Sequence, residues 1–172
     1  EFEQMEMQFF VPPGTQKEWY KKWMNKRMEW HKSIGMGSEN YRFKNHEKLA
    51  HYADAACDIE FKFPFGFREL EGIHSRTDFD LSNHEKFSGK NLKYFDPKLE
   101  KNYTPYVVET SIGLDRMFLA ILSWSLREDK LTDGTIRKVL KFPAFLAPIK
   151  LAVLPLVKKD GFTIIPITLY FN

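Results

Sequence analysis

The stretch Tyr106–Arg116, YVVETSIGLDR, decides the fold because it predicts a strand that runs directly into a helix. Side chains along a strand alternate between the two faces of a sheet. Glu109 and Ser111 therefore share one face, while the valine and threonine residues beside them point to the other. Polar residues on one face of an otherwise apolar strand indicate that this face can carry chemistry.

The helix that follows Gly113 is predicted from the spacing of its apolar residues. The residues expected to be buried on it are Leu114, Met117, Phe118, Ile121 and Leu122. Arg116 lies in the first turn of this helix, where a cation opposes the helix dipole. We therefore expect Arg116 to have an anionic partner.

A second polar stretch, Glu69–His84, reads ELEGIHSRTDFDLSNH and combines four carboxylates with three histidine or arginine side chains. Apolar residues are interleaved with these charges. Burying charged groups is costly unless they pair or serve a ligand. This density therefore predicts a lined pocket rather than a solvated face.

Residues 1–11 alternate between the two faces of another predicted strand. Met5, Met7 and Phe9 share the apolar face, and Glu6 lies on the polar face. This pattern is typical of a half-buried strand.

Together these blocks resemble the glycyl-tRNA synthetases, a family of class II aminoacyl-tRNA synthetases. ETSIGLDR resembles motif 3 of that class, residues 69–81 are similar to the family signature ELEGIAHRGDFDL, and residues 1–11 resemble the strand that closes motif 2. The segment His51–Phe61 is also similar to that family. The resemblance implies an α+β fold with a mostly antiparallel sheet flanked by helices, and the excess of predicted strands over helices favours the same class.

The resemblance implies an enzyme that activates glycine with ATP, together with Mg²⁺, to glycyl-adenylate and transfers the glycyl group to tRNA(Gly). The implied glycine-binding residues are Glu6, Arg76, Glu109 and Ser111, and the implied ATP-binding residues are Phe2, Glu109 and Arg116. Arg116 is also the expected catalytic residue, because its planar guanidinium can hold phosphate oxygens bidentately. Glu71 is expected to position Arg76. No residue is assigned as a metal ligand, although carboxylates that face phosphates commonly bind Mg²⁺, which leaves that role open for Glu109.

The same resemblance divides the chain in two. Residues 1–146 are interpreted as the C-terminal part of a class II catalytic core, and residues 147–172 as the start of a truncated anticodon-binding domain or a tail. The motif 2 arginine would lie before Glu1, and motif 1, which usually builds the dimer interface, is absent from the chain. We therefore expect a homodimeric parent protein and an isolated chain that is inactive.

Local signals predict the elements between these blocks. Thr15 and Glu18 predict a capping box for a helix that ends near Ile34, and the basic residues of this helix, Arg27 among them, are expected to be solvated. A short helix is expected over His46–Tyr52.

Further along the chain, strands are predicted over residues 55–63 and 67–73. Residues 83–103 are polar and rich in lysine, which predicts a mobile hairpin or insertion. Asp133 and Gly134 predict a tight turn before a strand over residues 136–142.

Composition sets broad limits. The 172 residues are 43% hydrophobic, enough for one domain with a sizeable core. The net charge of +3 is too weak to indicate nucleic-acid binding by itself, and neither DNA nor a membrane is an expected partner. The single cysteine, Cys57, lies on the apolar side of a predicted strand and is expected to be a core thiol. A chain with no secretory leader and no apolar stretch of about 18 residues is expected to be cytoplasmic.

Two other functions are open on the sequence. A non-catalytic synthetase-like accessory or binding subunit would share the fold, since fold does not guarantee activity. It would have no physical reason to keep the five implied residues Glu6, Arg76, Glu109, Ser111 and Arg116 together. An RNA-binding helix built on residues 17–32 would need its lysines on one concave face, whereas helical spacing spreads them widely.

Overall fold

The computed structural model describes residues 3–151, which divide after Trp124 into two compact units. In chain order the elements are β1 (Gln4–Val11), α1 (Gln16–Ser33), a short 3₁₀ helix (Ser38–Asn40), β2 (Tyr41–Asn45), β3 (Ala55–Phe63), β4 (Gly66–Thr77), α2 (Phe79–Ser88), β5 (Tyr94–Asp96), β6 (Lys101–Tyr103), β7 (Tyr106–Gly113), α3 (Leu114–Ser125), β8 (Leu126–Lys130) and β9 (Ile136–Leu140). The predictions of α+β class and of a largely antiparallel sheet are confirmed.

The first unit is built on a five-stranded antiparallel sheet with the order β1-β7-β4-β3-β2. One face of this sheet is apolar and packs against α1. Phe9 of β1, for example, contacts Trp19 and Trp23 of α1 with ring centroids 4.8 and 5.4 Å apart. The opposite face carries polar side chains. The alternation along β1 and β7 therefore separates the apolar core from a polar face of the sheet.

Cys57 lies in this core and is fully buried, as predicted. Burial is the main cause that raises the pKa of its thiol to about 11. A thiol with so high a pKa is a poor nucleophile at neutral pH. The structure thus agrees with a packing role for Cys57.

The capping box predicted at the start of α1 is wrong. The Thr15 hydroxyl donates to the backbone carbonyl of Pro12 at 2.7 Å instead of capping the helix. Glu18 is paired with Lys22 one turn later, at 2.7 Å. The Thr15 hydroxyl, which the sequence pattern assigned to the helix cap, therefore bonds within the turn that precedes the helix.

The helix predicted over His46–Tyr52 is also wrong, because this segment has irregular backbone. The His46 amide bonds the carbonyl of Ala56, and its imidazole Nε2 lies 2.8 Å from Asp58 Oδ1. These contacts with β3 replace the hydrogen bonds of a helix. The strand predicted over residues 55–63 is confirmed, and its partner β4 is longer than predicted.

Residues 83–103 contain the predicted hairpin, formed by β5 and β6, but also the end of a helix that the polar sequence concealed. On α3, Met117 and Ala120 are buried as the helical period requires. Phe118 was expected in the core but is 61% exposed, because it lies one residue off the buried stripe.

The second unit contains the antiparallel hairpin of β8 and β9. Its turn holds Asp133 and Gly134, as predicted, and Gly134 adopts a φ of +85° that favours glycine. Most of the tail predicted as a domain remnant, residues 152–172, lies outside the described residues. None of the helices that the structure describes combines the length and the apolar character needed to cross a membrane.

Candidate functional site

A polar cleft of about 270 Å³ opens on the face of the sheet opposite α1. It is lined by side chains of β1, β4, β7 and the first turn of α3. The lining residues that matter for its chemistry are Glu6, Glu69, His74, Glu109, Ser111 and Arg116. Three blocks that are far apart in the sequence thus meet in one place.

The strand register explains this convergence. Ser111 of β7 lies between Glu6 of β1 and Gly72 of β4, and Glu109 lies between Gln8 and His74 in the next row. All of these residues are on the same face of the sheet. The Ser111 hydroxyl donates to Glu6 Oε1 at 3.2 Å.

Arg76, near the end of β4, reaches the carboxylate of Glu109. Its Nη1 lies 3.0 and 3.2 Å from the two carboxylate oxygens of Glu109. The register between β4 and β7 shifts between Ser75 and Thr77, so Arg76 has no opposite residue on β7. Such a bulge bends a strand and redirects a side chain, and Thr77 adopts a φ of +57° where the strand turns into α2.

Two further side chains hold the Arg76 guanidinium. Asp80 accepts hydrogen bonds from its Nε and Nη2 at 2.7 and 3.2 Å, and the ring of Tyr52 lies 4.1 Å from its central carbon. Burial is the largest influence on Arg76 and opposes its charge, but Asp80 and Glu109 outweigh it and raise the pKa of Arg76. The guanidinium is therefore a fixed cation beside the cleft.

Two further side chains lie beside the Glu109 carboxylate. The Gln8 amide donates to Glu109 Oε2 at 2.5 Å, and His74 Nδ1 lies 3.7 Å from Oε1, beyond hydrogen-bond distance. Burial is the main cause that lowers the pKa of His74, although the Glu109 charge opposes it. A side chain at Gly72 would place its Cβ 2.9 Å from the His74 ring, so the imidazole would have to move to admit any other residue.

Arg116 lines the cleft at the start of α3, and in the structure it contacts a carboxylate, that of Glu69. Arg116 Nη1 lies 3.1 Å from both the carbonyl oxygen and Oε2 of Glu69. Its side chain is 41% exposed, so it can also meet a ligand from solvent. Phe2, one of the implied ATP-binding residues, lies outside the described residues.

The expectation that Glu71 positions Arg76 is wrong, because the two residues lie on opposite faces of β4. Glu71 is 1% exposed on the α1 side. Its carboxylate accepts from Arg27 Nε at 2.5 Å and lies 2.6 Å from His31 Nε2. Arg27, predicted to be solvated, is only 21% exposed because of this ion pair.

Among residues 3–151, no group of three or more His, Cys, Asp or Glu side chains is arranged to hold a metal ion by itself. Mg²⁺ usually takes one or two carboxylates and completes its ligands with water and substrate phosphates. The Glu69 and Glu109 carboxylates on the cleft fit that pattern of partial ligation. A Mg²⁺ ion here would have to arrive with a phosphate ligand.

The sequence indicated no site role for five side chains whose contacts are described above: Gln8, Tyr52, Glu69, His74 and Asp80. Strand alternation from Glu6 to Gln8 and helical spacing from Arg76 to Asp80 were signals for two of them. Tyr52 had no such signal, because its place depends on the irregular segment before β3. His74 belonged to a polar run in the sequence, but its burial could not be predicted from that pattern.

No protein family model matches the chain. Curated glycine–tRNA ligases are similar to it over nearly its whole length. The relative from Chlorobaculum tepidum is 56% identical over 160 residues, which cover 92% of this chain and 34% of the relative. The relative from Borrelia hermsii is 52% identical over 166 residues, which cover 94% of this chain and 37% of the relative.

The relative from Ruminiclostridium cellulolyticum is 49% identical over 163 residues, again covering 94% of this chain. The chain thus spans about a third of the length of the curated relatives it matches. The matched residues cover nearly the whole chain, including the strands that line the cleft. The chain belongs to the glycine–tRNA ligase family.

Proposed function

We propose that this chain is the part of a glycine–tRNA ligase that binds glycine and contributes to its activation by ATP. The observation that carries the proposal is the cleft in which Glu6, Glu109 and Ser111 lie next to Arg76. A small amino acid is a zwitterion, and this cleft offers acceptors for an ammonium group beside a cation that can bind a carboxylate.

Glycine has no side chain to read, so its recognition depends on the ammonium and carboxylate groups. In this proposal Glu6, Glu109 and the Ser111 hydroxyl accept from the ammonium group, and Arg76 binds the carboxylate. Attractive contacts with one methyl group distinguish two substrates such as glycine and alanine by only about 1–3 kcal/mol. Exclusion of alanine therefore depends on the limited space of the cleft.

ATP would bind at the Arg116 end of the same cleft. Attack of the glycine carboxylate on the α-phosphate spreads negative charge, and a preorganised cation stabilises such charge without reorganisation. Arg116 has this role in the proposal, and Glu69 holds it in place. Phe2 would stack on the adenine. Mg²⁺, when bound with the phosphates, would neutralise part of their charge, and Glu109 is a candidate carboxylate to hold it.

The wider assignments are proposals of the same kind. Residues 1–146 would belong to the catalytic core and residues 147–172 to the start of an anticodon-binding domain. The intact ligase would act on tRNA(Gly), in the cytoplasm and as a homodimer. An isolated chain that lacks motif 1 and the motif 2 arginine would not complete the reaction.

The test is pyrophosphate exchange by the intact ligase with glycine or alanine as the substrate. Glu6→Gln should weaken glycine-dependent exchange without admitting alanine, because it removes charge and keeps volume. Ser111→Gly should raise the relative use of alanine, because it enlarges the cleft. Glu18→Gln, at an exposed pair on α1, is the control and should behave as the unaltered ligase.

Two results would contradict the assignment. An unchanged preference for glycine over alanine in the Ser111 variant would remove that residue from the specificity pocket. Normal glycine activation in the Glu6 variant would remove the proposed ammonium site. An accessory protein without catalytic activity would show no exchange in any variant.

A further inference from the structure

The polar cleft proposed to bind glycine, here called the glycine cleft, has one open position in its floor. Ser111 of β7 lies between Glu6 of β1 and Gly72 of β4, so this row of the sheet ends in a residue without a side chain. The imidazole of His74, two residues further along β4, extends over Gly72. A Cβ at Gly72 would lie 2.9 Å from Cε1, 3.6 Å from Nδ1 and 3.7 Å from Nε2 of that ring. The His74 ring thus occupies the space that a side chain at residue 72 would fill.

The His74 ring is held by packing against its neighbours. Its Nδ1 is buried and has no hydrogen-bond partner among residues 3–151, since Glu109 Oε1 lies 3.7 Å away. The rings of His46 and Tyr52 lie beside it, with centroids 5.9 and 6.5 Å from its own. His46 is fixed in turn by Asp58, whose Oδ1 lies 2.8 Å from its Nε2. Neighbours on two sides therefore leave the glycine cleft as the direction in which the ring faces open space.

The electrostatic surroundings of His74 favour an uncharged ring. Burial is the main cause that lowers the pKa of His74 below its ordinary value of 6.5, although the Glu109 charge opposes it. A neutral imidazole does not compete with the ammonium group of a ligand for the Glu109 carboxylate. The volume of the ring, rather than its charge, is therefore what it contributes to the cleft.

A ligand that joined the two ends of the proposed glycine site would pass this ring. Arg76 follows His74 on β4, whereas Ser111 belongs to the preceding row of the sheet. A glycine that bridged Arg76 and Ser111 would therefore place its α-carbon over the row formed by Glu109 and His74. The side of that carbon that faces β4 would meet the imidazole, and a methyl group there would overlap the ring.

We propose that His74 is a specificity-determining residue that, seated over Gly72, excludes amino acids larger than glycine from the cleft. This inference rests on the proposed ligase function and names the side chain that sets the steric limit on the β4 side. Gly72 is part of the same device, because any larger residue there would displace the ring. Ser111 bounds the same space from β7.

The test is the ratio of alanine-dependent to glycine-dependent pyrophosphate exchange by the intact ligase, expressed as kcat/KM values. His74→Ala should raise this ratio about tenfold, because the methyl group of alanine gains the space of the ring. Both rates are measured on one preparation, so partial loss of folded protein cancels in the ratio. His84→Ala is the matched control and should leave the ratio unchanged, since His84 is exposed on α2 and does not line the cleft.

Three further variants separate the volume of the ring from other roles. His74→Phe keeps a flat, uncharged ring and should retain the low ratio of the unaltered ligase, because the buried Nδ1 has no hydrogen bond to lose. His74→Asn, which keeps a shorter polar side chain, should raise the ratio by a smaller factor than His74→Ala. Gly72→Ala combined with His74→Ala returns a Cβ to the vacated space and should lower the ratio again.

The outcomes distinguish this inference from the proposed function. An unchanged ratio in the His74→Ala and His74→Asn variants would overturn the role of His74, while glycine-dependent exchange would still support the proposed function. A double variant as permissive as His74→Ala would also overturn it, because alanine would then not be using the space over Gly72. Absence of exchange in the unaltered ligase would refute the proposed function and this inference with it.

Discussion

The buried network around Glu71 allows a quantitative prediction for Glu71→Gln. The carboxylate is 1% exposed and accepts from Arg27 Nε at 2.5 Å and Arg27 Nη2 at 3.2 Å, with His31 Nε2 at 2.6 Å. The substitution keeps the shape of the side chain but turns one acceptor into a donor that faces other donors. Removing one partner of a buried ion pair typically costs about 3–5 kcal/mol. Because Arg27 keeps some contact with water, we expect the free energy of unfolding to fall by about 3 kcal/mol.

The effect should depend on pH in a defined direction. Burial is the largest influence on Glu71 and opposes its ionisation, but His31 and Arg27 outweigh it and lower its pKa below the ordinary value of 4.5. A carboxyl group with a lowered pKa in the folded state stabilises the fold above its unfolded-state pKa. That contribution is lost as the pH falls through the lower, folded-state value. The difference between the two proteins should therefore be full at neutral pH and shrink below pH 4.5.

The assay is urea unfolding of the purified chain, followed by the fluorescence of the tryptophans on α1. Glu18→Gln, on the exposed face of the same helix, should leave the unfolding midpoint unchanged. Arg27→Met alone and combined with Glu71→Gln completes a double-mutant cycle, in which the two effects should not add. A loss under about 1 kcal/mol at neutral pH, or one that persists unchanged in acid, would refute the account of this network.

Three further predictions concern the glycine cleft. Asp80→Asn should raise the KM for glycine about tenfold with a smaller change in kcat, because charge-assisted bonds that hold Arg76 are worth about 1.5–3 kcal/mol; equal losses in both parameters would contradict a positioning role. The NMR signal of His74 should titrate below the ordinary pKa of 6.5, since burial disfavours its charged form, and a midpoint above 6.5 would contradict the described burial. Arg116→Ala should lower glycine-dependent pyrophosphate exchange in the intact ligase by about 10²–10³-fold, as expected for loss of a preorganised charge contact, and an unchanged rate would reduce Arg116 to a structural partner of Glu69.

The sequence predicted the parts of this fold that depend on alternation. The period of two along β1 and β7 placed Glu6, Glu109 and Ser111 on one face, and the structure brings these three together in one cleft. Strand register then fixes which polar residues are neighbours, and register cannot be read from a single strand. The opposition of Gln8, Glu109 and His74 was therefore found only in the structure.

The failed predictions share a physical cause, which is competition from contacts that the local sequence pattern does not specify. Thr15 and Glu18 have the spacing of a capping box, but nearby groups bind both side chains first. Arg27 belongs to a basic helix face by composition, yet a carboxylate 44 residues away draws it into the interior. The bulge at Arg76 is likewise invisible in the sequence, although it brings the guanidinium to Glu109 and Asp80.

The position of β1 at the edge of the sheet affects how often this strand opens. Within the described residues, β1 has a hydrogen-bonded neighbour on one side only, whereas β7 is paired on both sides. Strands at a margin open locally more often than central ones. In the isolated chain, opening of β1 would withdraw Glu6 and Gln8 while the Glu109 and Arg76 pair stayed in place. A ligand bound by both Glu6 and Glu109 would link the edge strand β1 to its inner neighbour β7. Amide hydrogen exchange along β1 would then slow in proportion to the fraction of molecules that hold the ligand.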